Sequence, residues 1–311
     1  MKPSANVIVK LKIADIIIGL ESRFKLKPYT SYEERQRLPE RFKNFFYRGR
    51  EDPEIRMQVK IVDKLPEIHK ARQIFITRHF QDGKENWRLL KRGNTYVYKS
   101  PLESKRQLML VNQDFDRVTA YLMPQKDKAK VWRPEDLIYD FIQVLLINYC
   151  ALHKKGIFVH AIGLKDINGK GLLFAGKSGS GKSTTARLWH RFSRAMILND
   201  DRIIVRKLKG RYFIYGSPWH GEFSDYLYSR MESAPLEKLF FIHQAPHNNA
   251  RAVLGKEAFH QLYQALFPTF WDKESLENIV SFCQGLINDV TCYSLGFLNN
   301  KKVIDFVRKN R

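Results

Sequence analysis

The chain of 311 residues is poor in cysteine, and its three cysteines, Cys150, Cys283 and Cys292, form no CxxC pair and no cluster with histidine. A disulfide framework or a structural zinc site needs such spacings. We therefore expect free or buried thiols in a reducing compartment.

Long apolar runs are also missing. The stretch Val7–Leu20 is interrupted by Lys10, Lys12 and Asp15, so it cannot form the core of a signal peptide or span a membrane. The apolar run Phe141–Leu152 is too short to cross a bilayer and predicts a buried helix. We expect a cytoplasmic protein without a membrane partner.

Acidic residues are scarce relative to basic ones: 32 Asp and Glu stand against 54 Lys and Arg, which gives a net charge of +22. Such a charge favours acidic partners. The basic residues are spread along the whole chain, however, without a basic arm or a zinc-finger spacing. We therefore do not expect nucleic acid as the main partner, and attraction of a nucleotide or an acidic peptide remains open.

Short alternating segments fill the first 125 residues, separated by turn signals such as Asp82-Gly83 and Gly93-Asn94. This pattern predicts an antiparallel, β-rich N-terminal domain over residues 1–125, and the charged segment Tyr32–Arg50 predicts a surface helix or loop. The predicted strands are Val7–Leu20, Ile55–Val62, Ile74–His79, Trp87–Lys91, Thr95–Lys99, Gln107–Val111 and Arg117–Met123.

The polar segment 124–134 marks the predicted domain boundary, and residues 135–311 form a second domain. Apolar residues at helical spacing predict a helix over Glu135–Lys155. Two apolar strands, Ile157–Leu164 and Gly171–Ala175, follow it, and a helix is predicted at Thr184–Arg191. This alternation predicts an α/β (or α+β) fold.

A glycine-rich segment, GKSGSGKS at residues 176–183, matches GxxxxGK[ST] at every position and directly follows an apolar strand. Its glycines let successive N–H groups point at phosphate oxygens, and the helix that begins near Gly181 adds the positive end of its dipole. Lys182 can reach the β- and γ-phosphates, and the Ser183 hydroxyl can bind Mg²⁺. ATP and Mg²⁺ are the predicted cofactors. The predicted binding residues are Gly176, Lys177, Ser178, Gly179, Ser180, Gly181, Lys182, Ser183 and Thr184.

Two adjacent carboxylates, Asp200 and Asp201, follow the apolar strand Arg194–Leu198. If that strand runs beside Gly171–Ala175, its carboxyl end lies near the phosphates. Neighbouring residues on a strand face opposite ways, so the two carboxylates have different roles unless the strand has already ended. The alternative is an Asx-type turn that leads into the predicted hairpin Arg202–Ser217.

The run FVHAIGLKDINGKGLLFAGKSGSGKSTTARLW…ILNDD resembles the HPr kinase/phosphorylase-type P-loop family, which is related to ATP-dependent phosphoenolpyruvate carboxykinase. It is most similar to the HPr kinase-like proteins, among them the kinases of some lasso-peptide gene clusters. The downstream runs YGSPWHGE and APLEKLFFIHQAP extend the resemblance, which covers about residues 135–270.

The resemblance implies an HPr kinase-like P-loop domain and an ATP- and Mg²⁺-dependent kinase. It assigns the general base to Asp201 and a supporting role near the γ-phosphate to His160, which closes the strand before the P-loop strand. With Lys182 and Asp200 these make the predicted catalytic set. The family's further magnesium carboxylate has no counterpart here, but Glu222 could substitute. The predicted metal ligands are therefore Ser183, Asp200 and Glu222.

The implied phosphate acceptor is a serine or threonine hydroxyl of a peptide or protein, or free serine or another small molecule. HPr kinases form rings, so a homo-oligomer is also implied. Two other classes remain open: a P-loop ATPase that drives a partner, and a nucleotide-sensing module without chemistry. The chain has no LSGGQ signature and no NKxD guanine motif, which argues against an ABC-type ATPase and a GTPase.

Overall fold

The computed structural model describes residues 7–23, 44–78, 85–99, 107–123, 141–177, 179–221, 231–267 and 269–309. The chain divides into two compact units, Met1–Tyr149 and Cys150–Arg311. The predicted boundary at 124–134 lies outside the described residues and stays a prediction. Both strands and helices are present in mixed sheets, as expected of an α/β protein.

The first unit contains a sheet whose strands are paired in the order β3-β1-β2-β4-β9-β8-β7-β6-β5. The β-rich character predicted for this part of the chain is confirmed. The strands are β1 (Val7–Ile13), β2 (Ile16–Ser22), β3 (Phe46–Tyr47), β4 (Ile55–Ile61), β5 (Arg72–Arg78), β6 (Glu85–Arg92), β7 (Thr95–Lys99), β8 (Gln107–Asn112) and β9 (Arg117–Leu122).

Two predictions for this sheet are wrong. Val7–Leu20 is a hairpin rather than one strand, because Ala14 and Asp15 both adopt positive φ angles, 49° and 59°, and reverse the chain. A two-residue turn of this kind usually carries glycine or asparagine, so the sequence hides it. The sheet is also not purely antiparallel, since β4 runs parallel to both β2 and β9. Strand direction depends on long connections that local patterns do not encode.

Helix α1 (Gln143–Leu152) covers the predicted buried run, while the rest of the predicted helix before residue 141 lies outside the described residues. Among the described residues, no helix is both long and apolar enough to cross a bilayer. All three cysteines of the chain are buried and none forms a disulfide, as expected. Burial raises the pKa of Cys283 and of Cys292 to about 12, so these thiols remain protonated and unreactive at neutral pH.

The second unit is built on a mixed sheet covered by helices. Its elements are β10 (Ile157–Lys165), β11 (Gly171–Ala175), α2 (Lys182–Phe192), β12 (Met196–Asn199), β13 (Arg202–Leu208), β14 (Arg211–Tyr215), β15 (Ser233–Gln244), β16 (Asn249–Ala252), α3 (Gly255–Tyr263), α4 (Lys273–Asp289), β17 (Thr291–Phe297) and α5 (Lys302–Lys309).

The pairings in this sheet form a closed circuit of β11, β10, β13, β14 and β15, and β15 returns to pair with β11 in parallel. The circuit closes because long strands change partners along their length. Strand β15 pairs with β14 through Ser233–Pro235 and with β11 through Leu236–Phe241. Strand β10 pairs with β13 through Ile157–His160 and with β11 from Ala161 onward.

Helices cover both faces of this sheet, which explains why all five residues of β11 are buried. One apolar cluster joins the sheet to α3 and α4, and a second joins it to α2 and α5. Alternate residues of β10 enter different clusters: Val159 packs into the first, and Ile162 and Leu164 pack into the second. The sheet is therefore packed between two layers of helices.

An ion pair ties the C-terminal helix α5 to this unit. Arg308 bonds both carboxylate oxygens of Asp166, with N–O distances of 2.6 and 3.1 Å. The Asp166 side chain is only 4% exposed, and the guanidinium carbon of Arg308 lies 5.3 Å from the Trp189 ring centre. The pair is bidentate and its carboxylate is buried, so the loss of the guanidinium would leave an uncompensated buried charge.

We expect Arg308→Ala to lower the free energy of unfolding by about 2–3 kcal/mol, because it leaves a buried carboxylate without its guanidinium. Urea titration followed by circular dichroism measures the loss. Lys309→Ala removes the neighbouring, exposed charge and serves as the matched control. Equal midpoints for the two variants would show that the ion pair does not hold α5 in place.

Candidate functional site

The glycine-rich loop joins β11 to α2 and has the backbone shape that its glycines predict. Gly179 and Gly181 adopt positive φ angles of 79° and 100°, which side chains other than glycine rarely adopt. At Gly181 a side chain is also excluded by contact, because a Cβ there would lie 2.5 Å from Cζ of Phe297. Gly181 precedes the first residue of α2 and no side chain caps the helix. The N–H groups of the first helical turn are therefore directed at the loop.

Lys182, the first residue of α2, folds back over the loop. Its Nζ donates to the carbonyl oxygens of Gly176 and Lys177, at 2.8 and 2.9 Å. The side chain is largely buried, and burial lowers the pKa of Lys182. The hydroxyl of Ser180 is also buried and has no hydrogen-bond partner among the described residues. A cation and an unsatisfied hydroxyl in a loop of this shape fit an anionic ligand.

The two aspartates lie in a turn between β12 and β13, not on a strand. Asn199 builds the turn, because its Oδ1 accepts from the N–H groups of Asp201 and Arg202, both at 2.9 Å. Its Nδ2 donates to the carbonyls of Ser217 and Trp219, at 2.9 and 2.7 Å. The Asx-type turn that the sequence left as an alternative is present. This turn holds the two carboxylates in the site, so the turn and a role of the aspartates in the site do not exclude each other.

The two carboxylates have different surroundings. Asp200 is 5% exposed, and its Oδ1 accepts from the N–H of Gly221 at 2.9 Å. A Cβ at Gly221 would lie 2.9 Å from the other carboxylate oxygen of Asp200, so the loop backbone packs directly on this aspartate. Asp201 instead bonds His160, with 2.9 Å between Nε2 and Oδ1, and its Oδ2 pairs with the guanidinium of Arg202.

His160 is neutral at physiological pH. Burial lowers its pKa to about 4, the positive charges of Lys182 and Arg202 act in the same direction, and the negative charge of Asp200 opposes them. Because a carboxylate accepts hydrogen bonds, the proton of the neutral ring lies on Nε2, which faces Asp201. The ring therefore orients Asp201 without neutralising its charge.

The sheet register explains how the loop and the turn come together. In β10, Ala161 pairs with Ala175, the last residue of β11, and the preceding His160 pairs with Arg202, the first residue of β13. One strand thus joins the start of the glycine-rich loop to the aspartate turn. The effect of the Lys182 charge on His160 is consistent with this proximity.

The structure differs from the sequence analysis at two points in this region. The condition that the strand before the aspartates runs beside β11 is not met, because β10 lies between them and pairs with both. Both β11 and β12 are antiparallel to β10, so they run in the same direction and their carboxyl ends still meet at one edge. His160 does not close its strand. It lies in the interior of β10, where the strand changes partners.

The other predicted site residues belong to the glycine-rich loop and to the predicted metal site. Ser183 and Thr184 lie in the first turn of α2, as predicted, whereas Ser178 and Glu222 lie outside the described residues. In the part of the chain that the structure describes, no three His, Cys, Asp or Glu residues cluster as metal ligands do. The predicted ligand set of Ser183, Asp200 and Glu222 therefore stays a prediction.

Three residues that build the site were missed by reasoning from the sequence: Asn199, Arg202 and Gly221. Asn199 is a polar residue at the end of a buried strand, which was a usable signal because such a side chain needs several partners. Gly221 gave no signal, because it contacts Asp200 from 21 residues away in the chain. Arg202 gave no signal either, because its contact with Asp201 depends on the geometry of the turn.

Comparison with known proteins adds little to this description. No family model matches the chain, and no curated protein does. Among solved structures, the chain is similar to the HPr(Ser) kinase/phosphatase from Coxiella burnetii, with 14% identity and a TM-score of 0.23. The match covers 40% of this chain and 87% of that one. The fold and the site define an α/β protein with a glycine-rich loop beside a His–Asp pair.

Proposed function

We propose that this protein is an ATP- and Mg²⁺-dependent kinase that transfers the γ-phosphate to a hydroxyl group. The observation that carries the proposal is the contact of 2.9 Å between His160 and Asp201 at the edge of the sheet where the glycine-rich loop begins. A phosphate loop alone suits any nucleotide-binding protein. A carboxylate held by a neutral histidine next to that loop suits the removal of a proton from an attacking hydroxyl.

The glycine-rich loop is proposed to hold the triphosphate. Its backbone N–H groups and the first turn of α2 supply donors and a positive dipole, and Lys182 exchanges the carbonyls of Gly176 and Lys177 for phosphate oxygens. Ser183 and Asp200, with Glu222, would hold Mg²⁺, which offsets the negative charge of the phosphates when bound. The buried Lys182 supports an anion in this place, as does the hydroxyl of Ser180, which has no hydrogen-bond partner among the residues that the structure describes.

Asp201 is proposed to accept the proton of the acceptor hydroxyl. As the hydroxyl oxygen forms its bond to the γ-phosphorus, the bond from that phosphorus to the bridging oxygen breaks and ADP leaves. The proton passes to a carboxylate oxygen of Asp201, while His160 keeps the carboxylate in position through its Nε2–H. Most of the rate enhancement then comes from positioning and from charge stabilisation.

The proposed acceptor is a serine or threonine hydroxyl of a peptide or protein, or a small molecule such as free serine. Purified protein is incubated with γ-¹⁸O-labelled ATP and Mg²⁺, in turn with free serine, with a library of serine and threonine peptides and with cell lysate. Mass spectrometry then locates the label. Label on a hydroxyl establishes a kinase and names its acceptor. Label found in inorganic phosphate alone would overturn the proposal in favour of an ATPase.

The neutral state of His160 predicts a pH effect on stability. In the unfolded chain this histidine has a pKa of 6.5, and in the folded chain about 4, so between these values the unfolded state binds more protons. The contribution of His160 to stability is therefore present above pH 6.5 and is lost as the pH falls towards 4. We expect the melting temperature of His160→Asn to fall less steeply with acidification than that of the wild type.

Thermal unfolding between pH 7 and pH 4 tests this expectation. His247→Asn is the control, because His247 is exposed in the turn after β15 of the same unit. Parallel curves for the wild type and His160→Asn, with the offset independent of pH, would contradict a neutral histidine at this position.

A further inference from the structure

We infer that Arg202 is a second cation for the γ-phosphate and that it rests on the base Asp201 until the triphosphate binds. This inference depends on the proposed kinase function and adds a catalytic residue to it. Arg202 covers one oxygen of Asp201 in the structure, and the transfer of its guanidinium to the γ-phosphate would free that oxygen for the acceptor hydroxyl.

The position of Arg202 places it in the site. It is directly opposite His160 in the antiparallel pair of β10 and β13, and residues opposite each other in such a pair have their side chains on the same face. His160 feels the charges of both Lys182 and Arg202. Both cations therefore lie near this histidine, Lys182 in the glycine-rich loop and Arg202 paired with Asp201.

The contacts of Asp201 show what a movement of Arg202 would change during catalysis. One carboxylate oxygen accepts from His160 and the other pairs with Arg202. A paired guanidinium stabilises the charged carboxylate and so makes it a weaker proton acceptor. His160 orients the carboxylate, so the partner that can be exchanged for a more highly charged anion is the guanidinium of Arg202.

The surroundings of Arg202 permit this exchange. Its side chain is 27% exposed, and its guanidinium carbon lies 5.0 Å from the centre of the Phe267 ring. An aromatic face supports a guanidinium in more than one orientation and keeps it charged. A triphosphate carries more negative charge than one carboxylate, and its oxygens match the guanidinium fork. Because the exchange frees the base only when a γ-phosphate is present, it also couples proton removal to the presence of the nucleotide.

Nucleotide affinities test the inference. Calorimetry gives the Kd of Mg²⁺ with ADP and of Mg²⁺ with the non-hydrolysable analogue AMP-PNP for the wild type, Arg202→Gln and Arg202→Lys. We expect Arg202→Gln to weaken AMP-PNP binding about tenfold or more, because the variant loses a charge-assisted contact. The affinity for ADP, which has no γ-phosphate, should stay within about twofold of the wild type. The turnover number for phosphate transfer to the acceptor hydroxyl should fall about 10³-fold or more, and Arg202→Lys should recover part of both losses.

Arg211→Gln is the matched control, because Arg211 is exposed at the far end of the same β13–β14 hairpin, opposite Leu208. It removes one positive charge from the same hairpin without touching the site. Equal losses of ADP and AMP-PNP affinity in Arg202→Gln, or no loss of either, would overturn the role of Arg202. Failure of the wild type to bind either nucleotide would instead overturn the proposed kinase function itself.

Discussion

Lys182→Ala is expected to reduce phosphate transfer from Mg²⁺-ATP by at least about 10³-fold, since the variant lacks the cation that offsets charge developing on the transferred phosphoryl group. In the structure the Lys182 ammonium is held against the loop by the carbonyls of Gly176 and Lys177. Its position at the loop is thus fixed by contacts within the protein. Transfer of ¹⁸O-labelled phosphate to the acceptor hydroxyl, measured on the purified variant, checks the expectation.

Lys256→Ala is the control for this experiment. Lys256 is an exposed lysine of α3 in the same unit and lies outside the glycine-rich loop. We expect the control to transfer phosphate within about threefold of the wild type, the scale of an exposed charge. Comparable losses in the two variants would mean that transfer is sensitive to the removal of any lysine charge and that Lys182 has no special part.

Asp201→Asn is expected to keep nucleotide binding and to lose transfer by about 10³-fold, the middle of the range for a general base. The amide is isosteric with the carboxylate, so it preserves the shape of the turn that Asn199 organises. It cannot take up the acceptor proton. Calorimetry with AMP-PNP and transfer of ¹⁸O-labelled phosphate measure the two properties separately.

Two further substitutions make this result specific. Asp289→Asn removes a half-exposed carboxylate that pairs with Lys207 away from the site, and it should leave transfer unchanged. Asp200→Asn should raise the Mg²⁺ concentration needed for half-maximal transfer, because Asp200 is assigned to the metal. If Asp201→Asn still transfers phosphate, or if the two aspartate variants behave alike, the assignment of the base to Asp201 is wrong.

The glycine-rich loop could be predicted from the sequence because its chemistry is local. A buried strand, glycines at positions that need positive φ and a helix start all lie within about 20 consecutive residues. The same holds for the hairpin of β13 and β14, which lies within the predicted hairpin Arg202–Ser217. The hairpin at Ala14-Asp15 was missed because its turn residues are not those that usually adopt this geometry.

The partners of the aspartates could not be predicted in this way. The sequence indicated that Asp200 and Asp201 would differ, but it assigned the difference to alternation along a strand, and the strand has ended before them. Their separation comes from Asn199 and from contacts with Gly221 and His160, which lie 21 and 41 residues away from the aspartates they contact. Only the folded sheet brings such residues together.

The sequence by itself therefore determined the phosphate-loop pattern, the helix that follows it, the β-rich first part of the chain and the presence of two acidic residues after a buried strand. These features depend on short-range sterics and hydrophobic periodicity. The tertiary structure alone decided the insertion of β10 between β11 and β12, the neutral state of His160 and the pairing of Arg202 with Asp201. These depend on strand order and burial, because the free energy of a charge or a hydrogen bond is set by neighbours that are distant in the chain.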